Sequence, residues 1–164
     1  MSIWQLFKNY IYNIKNIMSA HADISRLLAL HDTRGRRIDG IVVHHSASDR
    51  DTTTPDMIKQ WHIARGFINT GYHYIGMPDG SIVAGRPARF IGAHCRGNNS
   101  HTIGYCFVGN FEHEYPTDIQ FARGKLFLQG LCRFHRLPYA AITPHCEHRA
   151  TDCPGQNLIE RWWG

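Results

Sequence analysis

The stretch Gly40-Ile41-Val42-Val43-His44-His45 decides the fold class of this chain. Its run of β-branched residues is short and continuously apolar, as in a strand buried on both faces. It ends in two histidines. Successive side chains on a strand point to opposite faces, so one histidine aims at a site on one face and the other aims away. Alternation alone does not say which.

Working outward, Asp49 to Thr54 is a polar loop. Thr54-Pro55 then reads as a helix start, with a capping hydroxyl and proline at the first helical position. That helix runs to about Arg65, where Gly66 stops it. Trp61, at helical spacing from Ile58, reads as a core residue. Gly71 to Met77 is a strand, Pro78-Asp79-Gly80 a turn, and Ser81 to Ala84 its returning partner. Thr102 to Val108 is a further strand. Thr117-x-x-Gln120 is a capping box that opens a long helix to about His135, with Ile119, Ala122, Leu126 and Leu131 as its apolar face. Residues 140–143 form a short strand before the loop from His145 to Cys153. Leu158, Ile159, Trp162 and Trp163 close the tail. Arg34-Gly35-Arg36-Arg37 is a basic loop, and Arg86 reads as a structural ion-pair partner.

Before residue 38 the pattern is helical. Ile3, Phe7, Ile11, Ile14 and Met18 fall on one stripe, with Lys8 and Lys15 adding positive charge. This is an amphipathic helix lying on an anionic membrane, a helix packed on its own domain, or a poorly ordered extension. Residues 24–30 form a second short helix. The class is therefore α/β: a single domain with a central mixed β-sheet flanked by helices, and an extra helical segment at the N-terminus. The expected division is an N-terminal extension over residues 1–36 and a main domain over residues 37–164.

The 164 residues are 43% hydrophobic and 19% charged, enough apolar material for one core. The net charge of +5 favours a polyanionic partner: nucleic acid, an acidic membrane or an acidic wall polymer. The basic residues are scattered, and no finger spacing or aromatic RNA-binding motif appears, so no nucleic-acid partner is expected. Five cysteines, an odd number with no C-x-x-C pair, indicate neither a disulfide framework nor a zinc ribbon. No apolar run approaches a membrane span, and no clean signal peptide appears. Synthesis in the cytoplasm is the corresponding expectation.

Twelve histidines are the unusual number, because histidine is the commonest metal ligand. His145 and Cys153 flank a polar loop closed by Pro154-Gly155. One strand histidine with these two gives three protein ligands and leaves a fourth position open, the pattern of catalytic rather than structural zinc. Satisfied core histidines and an inert buried cysteine are the alternatives.

At these residues the chain resembles the zinc amidases that include the phage lysozyme-type N-acetylmuramoyl-L-alanine amidases and the animal peptidoglycan-recognition proteins. The matching stretches are Ile41-Val-Val-His-His-Ser-Ala47, Trp61-His62, Gly71-Tyr-His-Tyr-Ile75 and Asp79-Gly80. They continue through Gly85-Arg-Pro87, Gly92-Ala-His94, Gly97-Asn-Asn99, Ile103-Gly104 and Val108-Gly-Asn110 to His145 through Gly155. The resemblance implies that His44, His145 and Cys153 bind Zn2+, which selects His44 over His45. It implies catalytic roles for Tyr72 and Thr151, whose hydroxyls beside the metal would hydrogen-bond a developing oxyanion. His94 and Asn99 become cleft residues that contact glycan or peptide, or else residues that fix the loop between the hairpin and the next strand. Some relatives carry a glutamate base in the strand after Ile-Gly. Here that stretch reads Tyr105-Cys106, which implies reliance on tyrosine and metal.

The implied activity is hydrolysis of the amide between N-acetylmuramic acid and L-alanine in bacterial peptidoglycan, by a phage or prophage endolysin that reaches the wall after release or delivery. The alternatives are a wall-recycling or effector amidase, and a non-catalytic peptidoglycan-binding protein of the same fold. Relatives that only bind typically replace the cysteine ligand, and Cys153 is present.

Overall fold

The computed structural model describes residue 5 and residues 22–164. Apart from Gln5, the stripe over residues 1–20 and the membrane reading attached to it lie outside the described residues. The chain divides into two compact units, residues 1–31 and residues 32–164. In the first, a helix (α1) is described over residues 22–29, where the sequence predicts one over 24–30.

The second unit holds a five-stranded mixed sheet in the order β3-β2-β4-β1-β5. Its strands are β1 (Gly40–His45), β2 (Tyr74–Gly76), β3 (Ile82–Ala84), β4 (Thr102–Phe107) and β5 (Ile142–Pro144). β1 pairs parallel with both β4 and β5, β2 pairs parallel with β4, and only β3 runs antiparallel. Ile41, Val42 and Val43 are fully buried, as a central strand covered on both faces requires. Three further helices accompany the sheet: α2 (Pro55–Ala64), α3 (Asp118–His135) and α4 (Gln156–Trp163). The mixed α/β class read from the sequence is the observed one. All five cysteines are free. Among the described residues, no helix is long and apolar enough to cross a membrane.

The helix starts follow the capping signals. Thr54 accepts the Met57 N–H at 3.2 Å with Pro55 in the first turn of α2, and Thr117 accepts the Gln120 N–H at 3.1 Å to open α3. The second half of the capping box does not form. The Gln120 amide turns inward and donates to the carbonyls of Gly76 and Val108, at 3.0 and 2.9 Å. These carbonyls end β2 and follow β4. The Gly76 carbonyl also accepts the Val108 N–H, so the Val108 carbonyl is the one that decides: a buried carbonyl without a partner costs more than a solvated helix terminus, and the tertiary bond wins.

The face of α3 is also rotated from the expected one. Its buried residues are Gln120, Gly124, Phe127, Leu128, Leu131 and Cys132, while Ile119 is 45% exposed. Only Leu131 is common to both sets. Trp61 differs as well: it is 38% exposed, and the buried positions of α2 belong to Ile58 and His62. Arg86 makes its structural bonds to the carbonyls of Thr70 and Ile91 rather than to a carboxylate.

Gly124 sits where α3 meets the sheet. A Cβ there would stand 2.5 Å from the Phe107 ring and 3.1 Å from the Tyr105 hydroxyl. The Gly124→Ala variant gains up to about 1 kcal/mol of helix propensity. Overpacking of this kind costs about 1–3 kcal/mol. Net destabilisation is expected in urea unfolding, and a more stable variant would show that the helix can move off the sheet.

Candidate metal centre

The site lies at the C-terminal ends of β1 and β5. In the parallel ladder Val43 stands opposite Pro144, so the residues that follow, His44 and His145, emerge side by side. Their ring centroids are 4.4 Å apart. After β5 the chain turns through the short 3₁₀ segment His145–Glu147 and returns to Cys153. The Cys146 N–H donates to the Cys153 carbonyl at 2.9 Å, which closes this loop on itself.

One donor atom from each of His44, His145 and Cys153 falls in a group whose members all lie within 4.8 Å of one another. The His44 Nδ1 to Cys153 Sγ distance is 3.7 Å. Nitrogens at about 2.0 Å and sulfur at about 2.3 Å from a tetrahedral zinc stand roughly 3.3–3.6 Å from each other. The donor set and its spacing therefore suit a zinc ion, with Nδ1 as the His44 donor facing the sulfur. The backbone N–H of His45 points at Cys153 Sγ from 3.4 Å, a contact that favours a thiolate. His45 itself is turned away, with Nδ1 accepting the Phe111 N–H at 3.2 Å.

These groups open onto a cleft of about 570 Å³. Tyr72 and Thr151 both line it. The Tyr72 ring lies 5.2 Å from the His44 ring and 5.1 Å from the His62 ring. Burial raises the Tyr72 phenol well above its ordinary pKa, so it keeps its proton and can donate. Thr151 Oγ1 accepts the Cys153 N–H at 3.3 Å, leaving its own hydroxyl hydrogen for another acceptor.

His94 and Asn99 take different places. His94 borders the cleft, but its ring is buried and its Nδ1 lies 3.1 Å from His44 Nε2. The Asn99 side-chain oxygen accepts the backbone N–H groups of His94 and Cys95, at 2.9 and 2.8 Å, so it fixes the loop. Polar cleft residues missing from the sequence-derived set include His62, Arg65, Glu112 and Asp152. His62 accepts the Gly71 N–H at Nδ1, 2.7 Å away, which leaves its proton on Nε2. Its signal was present, since it is the residue of α2 that falls four after the buried Ile58.

Burial sets the charge state throughout. It holds His44 and His94 well below the usual histidine pKa, lowers His62 and His145, and takes His45 to about 4. It pushes the Cys153 thiol up to about 12, so without an ion that sulfur stays protonated at neutral pH. The imidazoles are thus ready as neutral ligands, and the cysteine proton is the one a metal must displace.

Comparison with known proteins agrees with this geometry. The family model described as N-acetylmuramoyl-L-alanine amidase matches residues 34–156. The endolysin of Escherichia phage T7 is 33% identical over 129 residues, covering 76% of this chain and 85% of the phage protein. Among solved structures, the N-acetylmuramoyl-L-alanine amidase LysC from Clostridium intestinale URNW superposes with a TM-score of 0.69 and 32% identity, covering 74% of this chain and 78% of LysC. A complex of peptidoglycan recognition proteins LCa and LCx with tracheal cytotoxin gives 0.70 at 26% identity, covering 80% of this chain and 86% of the matched one. The chain belongs to the N-acetylmuramoyl-L-alanine amidase family.

The depressed histidines carry a stability prediction. A histidine whose folded pKa lies below its unfolded value near 6.5 costs stability as pH falls through the interval between the two. For His45 the interval runs from 6.5 to about 4. Its full contribution is on the order of 3 kcal/mol. The melting temperature of metal-free protein is expected to drop steadily across that interval, and a flat profile would contradict the buried neutral imidazoles.

Proposed function

We propose that the chain is a zinc-dependent endolysin that hydrolyses the amide between N-acetylmuramic acid and the L-alanine of the peptidoglycan stem. In this reading residues 37–164 form its catalytic domain and residues 1–36 an extension. The observation that carries the proposal is the grouping of His44, His145 and Cys153 on the floor of an open cleft. Family membership supports the bond cut, and the endolysins among the relatives support the setting.

The chain's own groups have separable roles. His44 and His145 hold the ion as neutral donors, and the Cys153 thiolate cancels one of its two charges. When bound, zinc supplies Lewis acidity and activates water at neutral pH. Tyr72 donates a hydrogen bond toward the oxygen of the scissile amide, where negative charge develops. Thr151, tied by its oxygen to the Cys153 backbone, offers its hydroxyl hydrogen to the same region. A threonine carries no charge, so its share is that of a neutral donor. A protein that only binds the wall has no use for a thiolate ligand beside a buried phenol, and this favours an enzyme.

Purified peptidoglycan should release stem peptides with a free N-terminal alanine and leave muramic acid with a free carboxyl group, both read by mass analysis. A chelator should abolish release and zinc restore it. Tyr72→Phe should retain zinc while losing about 100- to 1000-fold in kcat, the range for removal of one oxyanion donor. Cys153→Ser should lose metal and activity together. Zinc-loaded wild-type protein that leaves the wall intact would reduce the chain to a binding module.

A further inference from the structure

His94 is a histidine in direct contact with the metal group that the reaction above has not used. Its ring meets that of His44 edge-on, at 82°, with Nδ1 3.1 Å from His44 Nε2. The ring is closely packed against two glycines. A Cβ at Gly104 would stand 2.4 Å from the His94 ring, and one at Gly92 would stand 2.5 Å from it, so both glycines are needed for the ring to fit. Beyond it lies His73, whose Nδ1 accepts the Gly104 N–H and whose Nε2 donates to the Phe90 carbonyl.

The loop that carries His94 is clasped from outside. Asn99 accepts the His94 backbone N–H. The Arg36 guanidinium donates to the carbonyls of Ala88, Phe90, Asn99, Ser100 and Thr102, on both flanks of His94. So many bonds on one short segment leave the ring little freedom to swing into the cleft.

The tautomers then follow by elimination. The His44 Nδ1 faces the sulfur at 3.7 Å and is the nitrogen that serves a metal. Its Nε2 therefore carries hydrogen, and the atom facing that hydrogen, His94 Nδ1, must be a bare acceptor. The proton of His94 sits on Nε2, buried without a well-formed partner. Metal-bound histidines commonly donate their second N–H to a fixed acceptor, which sets tautomer and ring angle.

We propose that His94 is a positioning residue that accepts the His44 Nε2 hydrogen and so presents His44 Nδ1 to the metal. The role works through His44 and not through contact with substrate. It rests on the metal reading above, and the two fail differently.

The test compares His94→Asn with His94→Gln. Asparagine places an amide oxygen near the position of Nδ1, whereas glutamine reaches toward Nε2. Zinc affinity is measured by competition with a chromophoric chelator, with no substrate present. Glutamine is expected to weaken zinc binding about 10- to 100-fold, and asparagine to recover most of the loss. Heteronuclear NMR of the imidazole nitrogens in zinc-loaded wild-type protein supplies a measurement that needs no variant, and it should find hydrogen on His44 Nε2 and none on His94 Nδ1. Equal affinity for wild type and both variants, equal loss in both, or the reverse tautomers would each overturn the proposal. Wild-type protein that binds no zinc would overturn the metal reading, and this one with it.

Discussion

The register of β1 against β5 is the constraint on which the site depends. Two parallel strands send their following residues to the same end of the sheet, and the pairing of Val43 with Pro144 sets His44 beside His145 although 100 residues of chain separate them. A slip of one residue would turn His44 to the opposite face and bring His45 in. The slip is resisted by Ile41, Val42 and Val43, which are buried among the neighbouring strands and cannot be exchanged for their neighbours without exposing apolar surface. The ladder with β4, in register over all six residues from Gly40 to His45, holds the other edge. The spacing of these candidate donors is thus set by the hydrophobic core.

Much of this could be read from residue types alone, because the signals were local. The β-branched run, the Thr54-Pro55 start and the Thr117 cap each involve atoms within a few residues. What could not be read depends on partners far away in sequence. Gln120 looks like half of a capping box, and no local rule says that two sheet carbonyls will outbid the helix terminus for its amide. The face of α3 went the same way. Gly124, a poor helix former, lies at the centre of the contact because Phe107 needs the space, and a stripe counted from large apolar residues passes it over. Trp61 leaves the core place expected of it, and His62 is buried instead, for a related reason: the imidazole has a backbone N–H to accept at Gly71, and the indole can remain partly wet.

At the site the three residues whose donor atoms gather were legible as candidates, and their surroundings were not. Spacing brought His145 and Cys153 into view, and strand alternation reduced the choice to His44 or His45. The structure shows the physical basis of the choice, since His45 already spends Nδ1 on the Phe111 N–H. The same alternation that delivers one imidazole to the cleft delivers the other to the loop after β4. His45 serves the metal group by its backbone instead, through the N–H aimed at Cys153. Asn99 makes the parallel point: a side chain that looks ready for substrate is consumed in holding two backbone N–H groups.

Burial explains why so many histidines gather here without charge. Desolvation is the largest influence on each of His44, His45, His62, His94 and His145, and the histidines near His44 lower it further. A cluster of imidazoles that could all charge would repel itself, whereas neutral rings serve each other as donor and acceptor. That requires each ring to be told which nitrogen keeps its hydrogen. His62 takes the instruction from Gly71, His45 from Phe111 and His73 from Gly104 and Phe90, all of them backbone groups of fixed position. His44 faces another imidazole instead, so its tautomer is only as definite as the anchoring of His94. The five carbonyls gathered by Arg36 supply that anchoring, and they make a basic residue that does not line the cleft part of what holds His94 against His44.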